Sequence, residues 1–296
     1  MFIAPMLGTP LRNPARLGDP RYAAEPKFDG QRAQLHVAVG RTVEAFSRLG
    51  RSLLADPGLG WLRDARWPVS AVVLDGELCA GTGTEGILGV FEARKAGRAP
   101  LAFVAFDILR VDGREVMSEP WTDRRKRLED LGAALTVPNL AIVPATTEAA
   151  RLWAAWVGWG GEGIVLKDRR SPYRPGVRSP DWLKVKHRHT LSVRVEAGDP
   201  ELVRWGEWAW AVRLTLSYRP PRGRGRVRID EIVRVPDPEG FVLHEGGRGA
   251  LECWGFLPNG RLRHPMWLRW TEPAERTARR GRPRPGVARP TRPQPP

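Results

Sequence analysis

A mixed, largely antiparallel α+β domain followed by a small all-β barrel is the fold that the sequence predicts, and three observations carry it. Short runs of apolar and β-branched residues recur through the first 190 positions, with two amphipathic helical patterns set among them. These strands and helices do not alternate regularly, which argues against a doubly wound parallel sheet. After about residue 190 the pattern turns to strand alone.

The predicted strands of the first part cover residues 32–39, 71–79, 101–109, 163–167 and 182–186. Residues 121–135 place Leu128, Leu131 and Leu135 on one helical face, and residues 147–157 place Leu152, Trp153 and Trp156 likewise. In the second part Trp208, Trp210, Val212, Leu214, Leu216 and Tyr218 alternate strictly, and Val227 and Ile229 begin another strand. Pro258-Asn259-Gly260, between strand-like residues 251–257 and 261–268, signals a hairpin. Residues 273–296 hold seven arginines and one glutamate among frequent prolines, the composition of a disordered basic tail. The expected organisation is therefore 1–190, 191–272 and 273–296.

A chain of 296 residues with 42% hydrophobic positions is long and apolar enough to bury a core. Its formal charge of +15 calls for an acidic partner, nucleic acid before membrane. Two distant cysteines, Cys79 and Cys253, exclude a structural zinc site built on four cysteines and a dense disulfide framework, and they suit a reducing cytosol. The proline-broken start, Met1-Phe2-Ile3-Ala4-Pro5, is not a signal peptide, and no run approaches the roughly 20 apolar residues of a membrane span. The expectation is a soluble cytoplasmic protein.

Only six of the 48 basic residues are lysines. Arginine stays protonated in proteins, whereas a lysine can lose its proton and act as a nucleophile, so the positions that keep lysine mark chemistry. Lys95 and Lys126 lie in charged, surface-like stretches; Lys27, Lys167, Lys184 and Lys186 do not. Lys27 stands in Glu25-Pro26-Lys27-Phe28-Asp29-Gly30-Gln31-Arg32, an amine on a turn just ahead of a strand, where glycine lets backbone approach a ligand.

Asp75-Gly76-Glu77 closes an apolar run with carboxylates suited to a ribose hydroxyl or a divalent cation. Phe106 sits within a strand, where an aromatic serves the core or stacks on a base. Glu162 opens the strand that ends at Lys167. Lys184 and Lys186 share one face of a strand by the period-two rule, and two adjacent ammonium groups call for an anion or a carboxylate between them. An amine nucleophile, metal-capable carboxylates, a stacking ring and paired lysines together fit nucleotidyl transfer, in which an amine attacks the α-phosphorus of a nucleoside triphosphate.

In this order the motifs, from Pro5-Met6-Leu7 to about Lys186, closely resemble the covalent nucleotidyltransferase superfamily, and within it the ATP-dependent DNA ligases of the compact bacterial repair type. The resemblance implies an adenylation domain followed by an oligonucleotide-binding barrel. It implies that Lys27 becomes adenylated, with Glu25 near the adenine and Arg32 at the nucleotide or nick. It places Arg48 of Ser47-Arg48-Leu49-Gly50-Arg51 on phosphate, Glu77 at the ribose or metal, Phe106 on adenine and Glu162 at the metal. Lys167, Arg178, Lys184 and Lys186 would line the triphosphate. ATP would be the nucleotide and Mg²⁺ or Mn²⁺ the ion, with nicked double-stranded DNA as partner and a monomer as the acting unit.

The C-terminal motif departs from the family pattern. Arg263 and Arg269 stand where its arginine is expected, but Trp270-Thr271-Glu272-Pro273 lacks the aspartate-lysine pair that follows. An RNA ligase, a capping-type guanylyltransferase using the same lysine chemistry, and a non-catalytic nucleic-acid-binding relative are the alternative readings.

Overall fold

The structure, a computed structural model, describes residues 2–11, 14–38, 43–80, 90, 101–137, 139–199, 201–205, 209–220, 225–256, 260–272, 278–280 and 282–283. The chain divides into two compact units, Met1–His187 and Arg188–Pro296.

The first unit holds two sheets. Strands β1 (Leu7–Pro10), β2 (Tyr22–Pro26), β9 (Gly163–Asp168) and β10 (Arg178–Lys186) form a four-stranded sheet in the order β1-β10-β9-β2. The second sheet runs β4-β3-β5-β6-β7, built from β3 (Gln31–Val37), β4 (Val43–Ser47), β5 (Val72–Cys79), β6 (Ala102–Val111) and β7 (Arg114–Glu115), with β8 (Leu140–Ile142) beside β6. Only the β1–β10 and β6–β8 pairs are parallel among the described pairings of this unit. The mixed, mostly antiparallel α+β expectation holds here, and strand ends differ from the sequence reading by a residue or two, except at β10, which begins four residues earlier.

Helix α1 (Trp121–Ala134) buries Leu128 and Leu131 against the larger sheet, whose core includes Ala33, Leu35, Leu74, Phe103 and Ile108. The run Arg124-Arg125-Lys126-Arg127 is not uniformly surface. Lys126 is exposed and pairs with Asp130, but Arg124 and Arg125 lie on the buried face. Arg124 donates from Nε and Nη2 to Asp107 at 2.8 and 3.0 Å, and from Nη1 to the carbonyls of Glu119 and Ser171 at 2.6 and 3.0 Å. A buried guanidinium is tolerated because its donors are met this way.

Helix α2 (Ala149–Gly158) rests Leu152, Trp153 and Trp156 on the smaller sheet, over Tyr22, Ala24, Ile164, Leu166 and Leu183. Between the two sheets of this unit, Met6, Val73, Leu109, Tyr173 and Trp182 form a further apolar cluster. Its Trp182 lines the cleft described below.

The second unit is strand-only among its described residues, as predicted. Its strands are β11 (His189–Gly198), β12 (Glu201–Trp205), β13 (Ala209–Tyr218), β14 (Val227–Val235), β15 (Val242–His244), β16 (Arg248–Cys253), β17 (Met266–Glu272), β18 (Ala278–Arg280) and β19 (Arg282–Pro283). Pairing runs β11-β16-β17-β14-β13 and returns from β13 to β11, which closes a ring of five strands. Alternate residues of β13, Val212, Leu214, Leu216 and Tyr218, point into its core beside Val193, Val195, Val233, Leu251 and Trp267.

Two details depart from expectation. Ala278–Arg280 pairs with Val242–His244, and Arg282–Pro283 pairs with Glu201–Leu202, where the sequence predicts a disordered tail. Backbone pairing needs no apolar side chain, so composition alone does not foresee it. The rest of that tail, the hairpin tip at 258–259 and Lys95 lie outside the described residues.

Candidate nucleotide site

A cleft of about 730 Å³ opens between the two sheets of the first unit. That is a size suited to a drug-like or cofactor-sized ligand. Lys27, Arg32, Arg48, Glu77, Phe106, Val165, Lys167, Trp182 and Lys184 are among its lining residues.

The smaller sheet positions most of them by register. Glu25 and Lys184 both stand opposite Val165, Lys167 stands opposite Trp182, and Lys186 stands opposite Gly163. Partners in register share a face, so one face of this sheet carries Glu25, Val165, Lys167, Trp182, Lys184 and Lys186. The Lys27 N–H donates to the Gly163 carbonyl at 2.8 Å. From Gly163 to Lys167 is four residues of strand, about 13 Å. Lys27 therefore lies at one end of a strip with Lys167 and Phe106 at the other.

Glycine is required at two points. A Cβ on Gly163, at φ +143°, would come within 2.0 Å of the Val185 carbonyl oxygen, and one on Gly30 within 2.0 Å of the Leu78 carbonyl oxygen. Gly163 lets Glu162 turn in beside Lys27, and Gly30 brings the Lys27 loop down on β5.

Glu162 is the hub of one end. It accepts from the Lys27 ammonium on Oε2 and lies 2.6 Å from Lys186 Nζ through Oε1, with its side chain 6% exposed. Burial works against the charged carboxyl, but the two neighbouring ammonium groups hold it below its ordinary range. Trp156 supports the loop from α2, donating from its indole to the Lys27 carbonyl at 3.3 Å and packing on Phe28.

Lys184 has the opposite environment. Burial, together with Lys27, Arg32, Lys186 and Arg178, lowers its ammonium to about 8. A cation ringed by cations is a site prepared for an anion. Lys186, in contrast, meets a carboxylate, that of Glu162, which it shares with Lys27.

Lys167 is brought to Glu25 and the rings instead. Its ammonium lies 2.8 Å from Glu25 Oε2, donates to the Phe106 carbonyl at 2.7 Å, and stands over the Trp182 and Phe106 rings at 4.3 and 4.8 Å. Burial pushes Glu25 up and Lys167 down, and each is held back by the other's charge. Glu25 Oε1 is buried without a hydrogen-bond partner, with Arg125 Nη1 at the longer ion-pair distance of 3.8 Å. An orphaned acceptor of this kind calls for a donor from a ligand.

Arg32 makes a forked pair with Asp75, from Nε to Oδ1 at 2.8 Å and from Nη2 to Oδ2 at 2.5 Å, and its Cζ lies 4.7 Å from the Phe106 ring centroid. Burial opposes its charge, but Asp75 raises its pKa further above the usual arginine range. Glu77 is pushed up to about 7 by burial, against the charges of Lys27 and Arg32 and a 3.2 Å hydrogen bond from the Gly30 N–H. Arg48 is exposed, in the loop after β4. Arg178 is exposed and donates to the Gly8 carbonyl at 3.0 Å.

Arg263 and Arg269 belong to the second unit. Arg269 is exposed on β17, and the Arg263 backbone pairs with Trp254 and Gly255. Tyr173, Trp156, Val165 and Trp182 are site residues whose roles the sequence does not signal. Asp75, expected with Glu77 as a carboxylate for a ribose hydroxyl or a cation, is instead fully buried, with both oxygens taken up by Arg32 and Tyr173.

Among the described residues no group of three or more His, Cys, Asp and Glu side chains is placed to hold a metal by itself. Glu77 and Glu162 nonetheless supply two hard oxygen donors beside Lys27. That number suits Mg²⁺, which takes one or two carboxylates and fills its sphere with water and substrate phosphates. No helix among the described residues is long and apolar enough to cross a membrane.

Residues 5–186 match the family model of the ATP dependent DNA ligase domain. A probable DNA ligase of Sorangium cellulosum is 36% identical over 234 residues, which are 73% of this chain and 42% of that protein. The multifunctional non-homologous end joining protein LigD of Mycobacterium bovis is 37% identical over 195 residues, 64% of this chain and 25% of that protein. The chain thus spans less than half the length of these curated relatives. Among solved structures, the ligase domain of LigD from M. tuberculosis superposes with a TM-score of 0.55 at 28% identity, covering 92% of this chain and 97% of that one.

Proposed function

The chain belongs to the ATP-dependent DNA ligase domain family, and from that premise and the geometry of the cleft we propose that it seals 5′-phosphate/3′-hydroxyl nicks in double-stranded DNA through a lysyl-AMP intermediate on Lys27. The observation that carries this is the arrangement around Lys27: one amine, hydrogen-bonded to Glu162, in a cleft that offers an orphaned acceptor and an aromatic ring at one end and a ring of cations around Lys184.

In this reading Phe106 stacks on adenine and Glu25 Oε1 accepts from its amino group. Arg32, Arg48, Arg178, Lys184 and Lys186 hold phosphate, and Glu77 holds the ribose or the ion. Lys27, relieved of its proton, attacks the α-phosphorus; an N–P bond forms and pyrophosphate leaves with the bonding pair. A 5′-phosphate oxygen of the nick then displaces Lys27 and takes the AMP. The 3′-hydroxyl attacks that 5′-phosphorus, loses its proton, and AMP departs.

Glu162 keeps the amine on line by accepting its hydrogen bond, and Lys184 and Lys186 offset charge developing on phosphate oxygens. A divalent ion, held by Glu77, Glu162 and the phosphates, would add Lewis-acid charge neutralisation. The five-stranded ring of the second unit serves as an oligonucleotide-binding barrel, a shape that tracks nucleic-acid backbone, and Arg263 and Arg269 supply the C-terminal motif. The similarity to LigD, a non-homologous end joining protein, supports a place in DNA repair.

The test is a duplex with one fluorescent nicked strand, incubated with protein, ATP and Mg²⁺. Lengthening of that strand with ATP and none with GTP supports the reading. Transfer of GMP to the protein, or sealing confined to nicked RNA, replaces it with the capping or RNA-ligase alternative.

A further inference from the structure

Tyr173 closes a ring of hydrogen bonds around Arg32. Its hydroxyl donates to Asp75 Oδ2 at 2.6 Å and accepts from the Met6 N–H at 2.9 Å. Arg32 Nη2 donates to the same Asp75 Oδ2 at 2.5 Å and to the Met6 carbonyl at 3.0 Å, while Nε takes Asp75 Oδ1 at 2.8 Å. Both backbone groups of Met6 and both oxygens of Asp75, which has no solvent exposure, are thereby engaged.

The ring uses one edge of the guanidinium, Nε and Nη2. Arginine carries five N–H donors in a rigid fork, so Nη1 keeps two that make no hydrogen bond among the described residues. Arg32 lines the cleft, with its guanidinium over Phe106. The free edge is therefore the one available to a ligand. Through Asp75, Tyr173 ties the opposite edge, Nε and Nη2, to both sheets: Asp75 and Arg32 lie on the larger one, and Tyr173 leads into β10, which carries Lys184 and Lys186.

The phenol ring and the hydroxyl do separate jobs. The ring packs with Met6, Val73, Leu109 and Trp182, and a phenylalanine would fill that space. Only the hydroxyl serves the Met6–Asp75–Arg32 circuit. We propose that Tyr173 is a positioning residue, which through Asp75 fixes the Arg32 guanidinium with Nη1 facing the phosphate of the nucleotide or nick. This rests on the ligase reading above and adds to it a residue that acts only through Arg32.

The experiment is a double-mutant cycle of Tyr173→Phe and Arg32→Ala in the full chain, reading ATP-dependent labelling of the protein and single-turnover sealing of pre-adenylated nicked DNA, with KM for ATP and melting temperature alongside. Expected is a loss of about tenfold or more in at least one of the two rates for Tyr173→Phe, the order of one hydrogen bond to a charged group. In the Arg32→Ala background the same change is expected to cost less than about twofold, because the group it positions is gone. Rates for Tyr173→Phe equal to wild type, or losses that multiply in the double variant, overturn the role. A wild-type protein that neither takes up label nor seals overturns the ligase reading itself, and this role with it.

Discussion

Glu25 and Lys167 meet at 2.8 Å, and neither side chain is more than 3% exposed. The pair lies on the inner face of the smaller sheet, with the lysine also bonded to the Phe106 carbonyl. It is a buried ion pair at the base of the proposed adenine slot, and it gives the first expectation.

Lys167→Met leaves the buried Glu25 carboxyl with only Arg125, 3.8 Å from Oε1, and Glu25→Gln leaves the Lys167 ammonium without its bonded carboxylate. Each single change is expected to cost about 3–5 kcal/mol of folding stability, whereas the double change, which removes both charges, is expected to recover most of it. Urea unfolding of the four proteins measures this. Equal losses that simply add would contradict the pairing.

Glu162→Gln removes the carboxylate shared by Lys27 and Lys186. A charge-assisted hydrogen bond is worth about 1.5–3 kcal/mol, so lysyl-AMP formation is expected to slow by roughly 10- to 100-fold. Rapid-quench labelling with ATP reads the rate. An unchanged rate would remove Glu162 from the reaction.

Glu77 is expected to give stability and activity opposite pH dependences, stability falling and activity rising as pH increases toward neutrality. Burial raises its carboxyl to about 7 from an ordinary 4.5, so the folded protein holds this proton more tightly than the unfolded chain. The stabilisation from that proton is full below about 4.5 and is lost as pH rises through about 7. Wild-type stability should therefore fall relative to Glu77→Gln between pH 5 and pH 8 by roughly the linkage slope of one proton. Label uptake should rise over the same interval in the wild type, as the carboxylate needed for ribose or ion forms. Parallel stability curves for the two proteins would show that Glu77 does not titrate there.

What could be read before folding was whatever repeats locally. The alternation in Trp182-Leu183-Lys184-Val185-Lys186 placed both lysines on one face, and the Lys27 turn stood out because lysine is rare in an arginine-rich chain. The partners of these residues were not legible, because they come from far away in sequence. Asp75 is 43 residues from Arg32 and Tyr173 a further 98 from Asp75, so no window contains the ring they form. Lys167 reads as one more phosphate lysine until the register sets it beside Glu25. Arg124 reads as surface within a basic run, yet its helical phase turns it inward onto Asp107. Burial of a charge depends on a partner that only the tertiary fold supplies.

Lys27 is the residue expected to carry AMP. The most direct measurement incubates the purified chain with Mg²⁺ and α-labelled ATP or GTP, beside Lys27→Ala, and resolves the products on a denaturing gel. The expected result is a labelled band with ATP, none with GTP, and none from the folded Lys27→Ala protein. Label that persists in Lys27→Ala, or a folded wild type that takes up no label from ATP, would contradict it.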